Sequence, residues 1–262
     1  MTSYPTSIGS SDETSINLLG HDLAEDLLGE VGFAELAFWL VALRRPTAGE
    51  LRVFEAVLVA LADHGFTPSV IAARLTLTGA PESIQGAMAA GLLGGGSRFL
   101  GATEDTGRFL ANALATHSGP PPTDEQGWDE LAREAVRAAG ADGQLVPGLG
   151  HNIHRNGDPR TPVLVRIATE EGLNGPHLQL LEAVGRVHAE LLGRTLPVNG
   201  AGTCGAALCD LGLPVDILRG FALLARAAGL LGHLAEEMRQ PVGRDIYTEA
   251  ERLTDYRPPT ES

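Results

Sequence analysis

Glycine sits inside the helical stretches of this chain, and that limits the possible folds more than any other feature. "GAMAAGLLGGGS" and "NGAGTCGAALCDLG" mix glycine with alanine where the flanking segments show helical periodicity, and the 262 residues include 33 glycines. A glycine in a helix interior costs up to about 1 kcal/mol relative to alanine. Such helices need a compensating gain, and the one available is close approach, because a backbone without Cβ atoms lets a second backbone pack against it. Several of these glycines also suit turns and helix ends.

The remaining punctuation is helical too. In "TAGELRVFEAVLVALADHG", Thr47 and Glu50 form a capping box, followed at helical spacing by Phe54, Val57, Leu58 and Leu61. Thr123 and Gln126 repeat the box before "WDELAREAVRAAG", with Gly140 as the expected stop. Asp158 before Pro159 predicts an N-cap and a proline-led helix running to Gly172. "PHLQLLEAVGRVHAELLG" and "PVDILRGFALLARAAGLLGHLAEEM" read as two further helices, and "HSGPPPTDEQ" as a surface connection. Alternating β-branched runs between turn signals are nearly absent, and no repeat of fixed period is visible. The expected fold is all-α.

With a formal net charge of −14 the chain has no basic stripe for phosphate contacts, so nucleic acid is excluded as a partner. Cys204 and Cys209, the only cysteines, fit neither a redox CxxC nor a zinc spacing and read as buried thiols. "MTSYPTSIGSSDETS" lacks the basic-then-apolar pattern of a secretory signal. The most apolar segment is broken by Arg226 and His233, so no membrane span is expected and a cytoplasmic location is.

Against that acidity, "VPGLGHNIHRNGDPR" (146–160) gathers two histidines and two arginines on a glycine-broken loop. Two more loops stand out: "ADHGFTPS", carrying Asp63 and His64, and "LPVNGAGTCG", where Asn199 precedes a helix of small side chains. Arg226 places a charge within the last apolar helix, where it must be paired or face a cavity. Each has a plainer structural reading: a helix-end cap for the histidines, a solvated first-turn charge for Arg160, an ion pair with the following acids for Arg226.

The order of these segments resembles the citrate synthase superfamily, most closely the short members related to citryl-CoA lyase and the C-terminal module of ATP-citrate lyase. "TSIG" with "HDLAEDLLGEVGFAELAFWLVALRRP" looks like its opening, read as helical; "ADHGFTPS" and "VPGLGHNIHRNGDPR" are similar to its histidine motifs; "LPVNGAG" stands at its asparagine-and-aspartate turn; "ARAAGLLGHLAEEMRQP" looks like its closing arginine helix. The resemblance covers nearly the whole chain. It implies a single citrate synthase-like domain over 1–262, with a large lobe of about 1–99 and 201–262, a small lobe of about 100–200, and the active site in the cleft between lobes. It also implies a homodimer or higher homo-oligomer. Val146, Pro147, Gly148, Leu149 and Gly150 would wrap a coenzyme A thioester. His151 and His64 would be catalytic, and Arg160, Arg226 and Asn199 would bind a di- or tricarboxylate, with no metal required.

The implied reaction is retro-Claisen cleavage of a 3-hydroxy-3-carboxyacyl-CoA to an acyl-CoA and a 2-oxo acid, as in citryl-CoA lyase. Phe99 stands where citrate synthases place an enol-stabilising histidine, which favours cleavage over synthesis. Ala201 stands where the family's acid/base aspartate belongs, and alanine moves no proton. Glu104, Asp105, Cys204 and water are the candidate substitutes. The alternatives are a non-catalytic acyl-CoA or polyacid binder, and a condensing enzyme or hydrolase acting on another acyl-CoA.

Overall fold

The computed structural model describes residues 3–141 and 145–259. Eleven α-helices carry the fold among these residues: α1 Phe33–Ala42, α2 Ala48–Ala62, α3 Pro68–Gly79, α4 Ile84–Leu93, α5 Ala102–Thr116, α6 Glu125–Ala141, α7 Arg160–Glu170, α8 Pro176–Leu192, α9 Gly200–Asp210, α10 Leu218–Arg239 and α11 Gly243–Arg252. The expected helical fold is observed, with one addition near the start of the chain.

That addition is a three-stranded antiparallel sheet, β1 Gly9–Ser11, β2 Ile16–Leu18 and β3 His21–Asp22. Asp12 Oδ1 accepts from the N–H groups of Thr14 and Ser15, both at 2.8 Å, and closes the first turn. Leu19 and Gly20 both have positive φ (53° and 83°) in the two-residue second turn, the conformation that matches strand twist in a tight hairpin. The opening segment therefore differs from the helix expected of it. His21–Asp22 is a strand, Leu23–Leu27 is one wide helical turn capped by Asp22, and regular helix begins at Phe33. Strands this short offer no alternation to read, so side-chain turn chemistry was the only available signal.

Contacts sort the chain into two units, residues 1–57 with 102–218 and residues 58–101 with 219–262. Inside the first unit α9 packs with α5, α7 and α8. Glycine makes that packing possible. A Cβ on Gly205 would lie 2.1 Å from Thr103 O, and one on Gly107 would lie 3.0 Å from Cys209 Sγ, so α5 and α9 meet backbone to backbone. Cys204 and Cys209 are buried free thiols, and burial pushes both up to about 12. Phe38 and Phe54 stack edge to face at 5.5 Å on the helices before the break.

In the second unit Val70, Ala73, Leu77, Ala87, Leu230 and Leu234 form a core with Met88 and Leu92 against it. Gly91 fits there because a Cβ would meet Leu230 at 2.8 Å. The Thr47–Glu50 box forms as expected, Thr47 N–H donating to Glu50 (2.8 Å) and Glu50 N–H to Thr47 Oγ1 (3.2 Å). The second expected box does not form. Helix α6 starts at Glu125, so Asp124 is the capping residue, accepting from Gly127 N–H at 2.9 Å, and Thr123 falls outside. Gly140 is not a stop but lies within α6. No helix of the described residues is long and apolar enough to cross a membrane.

Candidate active site

In the first unit, the loop 146–150 is stitched to residues 197–199 by the backbone. Gly150 N–H donates to Pro197 O (2.7 Å), Asn199 N–H donates to Gly148 O (2.9 Å), and Leu149 bridges Val198. Gly148 and Gly150 have φ of 83° and 82°, which suits glycine. A Cβ on Gly202 would sit 2.6 Å from Gly148 Cα, so the loop lies flush on the first turn of α9.

Asn199 completes the stitching. Its Oδ1 accepts from Gly202 N–H (2.8 Å) as the α9 N-cap, and its Nδ2 donates to Gly150 O (2.9 Å). Both ends of the amide are thus committed to backbone, and the residue is buried.

Arg160 stands at the start of α7 and forks onto Asp158, Nε to Oδ1 at 3.0 Å and Nη2 to Oδ2 at 2.7 Å. The same carboxylate accepts from Arg160 N–H (3.1 Å) and from Gly200 N–H at the start of α9 (2.7 Å). Asp158 is not the N-cap expected of it, because α7 begins at Arg160 with Pro159 at the cap position; its carboxylate instead joins the starts of α7 and α9. Burial pushes its carboxyl up, but the Arg160 guanidinium and the two backbone N–H groups outweigh that and hold it well below the usual carboxylate range.

His151 follows the stitched loop. Its Nδ1 accepts from the N–H groups of Ile153 and His154, both at 3.0 Å. A ring nitrogen that accepts carries no proton, so neutral His151 is the Nε2–H tautomer and presents a donor. The His154 ring lies 4.5 Å away, tilted by 40°. A cavity of about 420 Å³ lies between α7, α8 and α9 and is lined in part by Val198 of the stitched segment and by Thr203, but by none of the sequence-predicted site residues.

The second unit holds His64 and Arg226. Arg226 is buried, and its guanidinium donates to Leu61 O (3.4 Å) and Thr67 Oγ1 (3.3 Å), gripping both ends of the turn that carries His64. The acids that follow it in sequence are engaged elsewhere, since Glu236 and Glu237 both bind Arg74. Asp63 Oδ2 accepts from Gly65 N–H (2.9 Å), and its Oδ1 faces His233 Nε2 at 2.9 Å.

The structure thus brings the 146–150 loop, Asn199 and Arg160 into one hydrogen-bonded assembly with Asp158, and places His64 and Arg226 around one turn. Sequence reasoning missed Gly200 as a partner of Asp158, and missed Arg74 and His233 altogether. An Asp two residues before an Arg was the available signal for the first. Arg74 and His233 lie 159 positions apart, too far for any local pattern.

A family profile described as citrate synthase, C-terminal domain, matches residues 6–247. The chain belongs to the citrate synthase family. Among solved structures of that fold, citryl-CoA lyase from Hydrogenobacter thermophilus matches with a TM-score of 0.84 and 29% identity, over 99% of this chain and 97% of that one. ATP citrate lyase from Methanothrix soehngenii, solved with citrate and coenzyme A, gives a TM-score of 0.79 and 24% identity over 100% of this chain and 42% of that one, a likeness of fold. ATP-citrate synthase beta chain protein 1 of Arabidopsis thaliana is 28% identical over 215 residues, 74% of this chain and 33% of that protein. This citrate synthase family member therefore spans about a third of the length of such curated relatives.

Proposed function

We propose that the protein is an acyl-CoA carbon–carbon lyase of the citryl-CoA type, cleaving a 3-hydroxy-3-carboxyacyl-CoA to an acyl-CoA and a 2-oxo acid. The observation that carries this reading is the His151 ring, fixed by two backbone N–H groups on Nδ1 directly after a glycine loop held against a helix N-terminus. The 29% identity to a citryl-CoA lyase over the full chain supports the substrate class.

In the cleavage the hydroxyl proton passes to water, the carbon–carbon bond breaks toward the thioester, and its electrons form the acyl-CoA enolate. The hydroxyl oxygen becomes the ketone of the 2-oxo acid, and the enolate carbon takes up a proton from water, which stands in for the missing aspartate. His151 Nε2–H would donate to the reacting oxygen and stabilise charge on it, the electrophilic role of an oxyanion donor. Its lone pair is already engaged at Nδ1, so in this tautomer it is not the base. Arg160 and Arg226 would bind the carboxylates, with His64 as a second imidazole on the substrate. Val146 to Gly150 would wrap the coenzyme A thioester, and Asn199 would act through the loop it stitches. The scheme uses no metal, and the protein would work in the cytoplasm as a homodimer or higher homo-oligomer. Its two functional lobes are proposed as about 1–99 with 201–262 and about 100–200.

A second reading, an acyl-CoA or polyacid binder without turnover, is favoured by Ala201 at the position where the resemblance implies the family's aspartate. Cys204, one helical turn on, does not replace that carboxylate, because it is fully buried and its thiol is pushed up to about 12. Glu104 is occupied by Arg108 at 3.0 Å.

Mass spectrometry of products from a panel of 3-hydroxy-3-carboxyacyl-CoAs decides between the readings. A lyase releases the two fragments, and His151→Ala lowers that turnover about 10²- to 10³-fold while coenzyme A affinity is kept. Ala201→Asp raises it. Binding without products in the wild type would establish the second reading, and full turnover in His151→Ala would remove His151 from the chemistry.

A further inference from the structure

The turn that carries His64 is held by one face of α10. Arg226, Gly229 and His233 recur at i, i+3 and i+7, a single helical stripe. Arg226 grips Leu61 and Thr67. Gly229 lies flush on the end of α2, where a Cβ would come within 2.0 Å of Ala62 O. His233 reaches Asp63, whose other oxygen accepts from Gly65 N–H, and Gly65 has a φ of 71°. The backbone on both sides of His64 is therefore tied to a helix that begins about 150 residues later.

The chemistry of the partners fixes the proton on His233. A guanidinium donates only, and Arg74 Nη2 lies 2.8 Å from His233 Nδ1, so Nδ1 is the acceptor. The proton is then on Nε2, where it is donated to Asp63 Oδ1 at 2.9 Å. Arg74 is held in turn. It is completely buried, its Nη1 donates to Glu237 at 2.8 Å, its Nη2 also bonds Glu236, and its guanidinium lies 4.7 Å from the centre of the Phe66 ring. The other oxygen of Glu237 accepts from Val242 N–H (2.9 Å) and Gly243 N–H (2.7 Å), so the chain of bonds ends on the backbone at the start of α11. Each link is directional, although the buried Arg74 Nε has no acceptor of its own.

We propose that His233 is a positioning residue for His64. Locked by Arg74 as the Nε2–H tautomer, it fixes Asp63 and through it the 63–65 turn, and so sets the orientation of the His64 imidazole toward substrate. The proposal rests on the lyase reading for its kinetic consequence, but its structural content is tested without turnover.

The experiment uses full-length protein labelled with ¹⁵N-histidine, with His233 and His64 assigned by their absence from His233→Gln and His64→Gln. Two-bond ¹H–¹⁵N spectra at neutral pH should show His233 with an unprotonated Nδ1 and a protonated Nε2. An Nδ1–H tautomer overturns the proposal. In His233→Ala the His64 ring signals should shift and kcat for cleavage should fall roughly ten- to a hundredfold, the scale of a misplaced reacting group, with KM for the CoA substrate nearly unchanged. His233→Gln, which retains a donor toward Asp63, should recover most of both. Unmoved His64 signals in a folded His233→Ala protein would refute positioning. A loss of Tm that glutamine fails to rescue would reduce His233 to a packing role and refute it equally. If the wild type shows no turnover the lyase reading falls, while the tautomer and the His64 shifts still decide this proposal.

Discussion

The loop at 146–160 and the turn at 61–67 both present histidine, yet they are held by different means. The first is stitched mainly by backbone: Gly150 to Pro197, Asn199 to Gly148, and two amide N–H groups onto the His151 ring. The second hangs on side chains of α10 and on a buried charge, through Arg226, His233 and Arg74. A stitched loop depends on shape, and above all on where glycine allows contact. A side-chain-held turn depends on which groups carry protons. Substitutions that change only charge should spare the first and disturb the second, with one exception.

That exception is Asp158, the carboxylate that ties the start of α7 to the start of α9, and it gives the largest expected effect. Asp158→Ala leaves Arg160 and Gly200 N–H without their shared acceptor. Its cost in chemical denaturation should be about 3 kcal/mol, the low end for breaking a buried charge pair. The pH dependence has a definite sign. The folded carboxyl lies below its ordinary value, so the folded state binds fewer protons than the unfolded one. This contribution is complete above the unfolded pKa of about 3.9 and is lost progressively as pH falls below it toward the folded value. Wild-type stability should therefore drop more steeply than that of Asp158→Ala below about pH 4. Parallel acid profiles would show that backbone stitching alone holds the loop, which would sharpen the contrast between the two regions.

What could be read in the sequence follows the same divide. Features made by neighbours in sequence were legible: the Thr47–Glu50 box, the helix from Arg160 toward Gly172, and the glycine–alanine segments that signal close helix packing. The glycines of "VPGLG" also marked the loop, since positive φ at Gly148 and Gly150 is a local demand. Features made by distant pairs were not legible. Arg74 reads as an ordinary helical charge until α10 is folded against it, and His233 as a mere interruption of an apolar run. Asn199 was legible as a helix start but not as a clamp on Gly150, 49 positions away. The sheet over Gly9–Asp22 escaped because its strands are two or three residues long.

The smaller predictions use glycine to separate the two regions by sign. In α9, Gly202→Ala adds a methyl 2.6 Å from Gly148 Cα, and a backbone atom cannot swing aside as a flexible side chain would. The gain of up to about 1 kcal/mol in helix propensity is outweighed by an overpacking cost of about 1–3 kcal/mol, so the variant should be less stable. It should also bind coenzyme A more weakly, as measured by calorimetry, because the 146–150 loop must move. In α10, Gly232 is exposed and nothing lies within 4 Å of the added Cβ. Gly232→Ala should raise stability by about 0.5–1 kcal/mol and leave coenzyme A affinity unchanged, since only the unfolded chain and the helix propensity are altered. If Gly202→Ala were instead as stabilising as Gly232→Ala, the loop would have room to spare over α9, and shape would not be what fixes it.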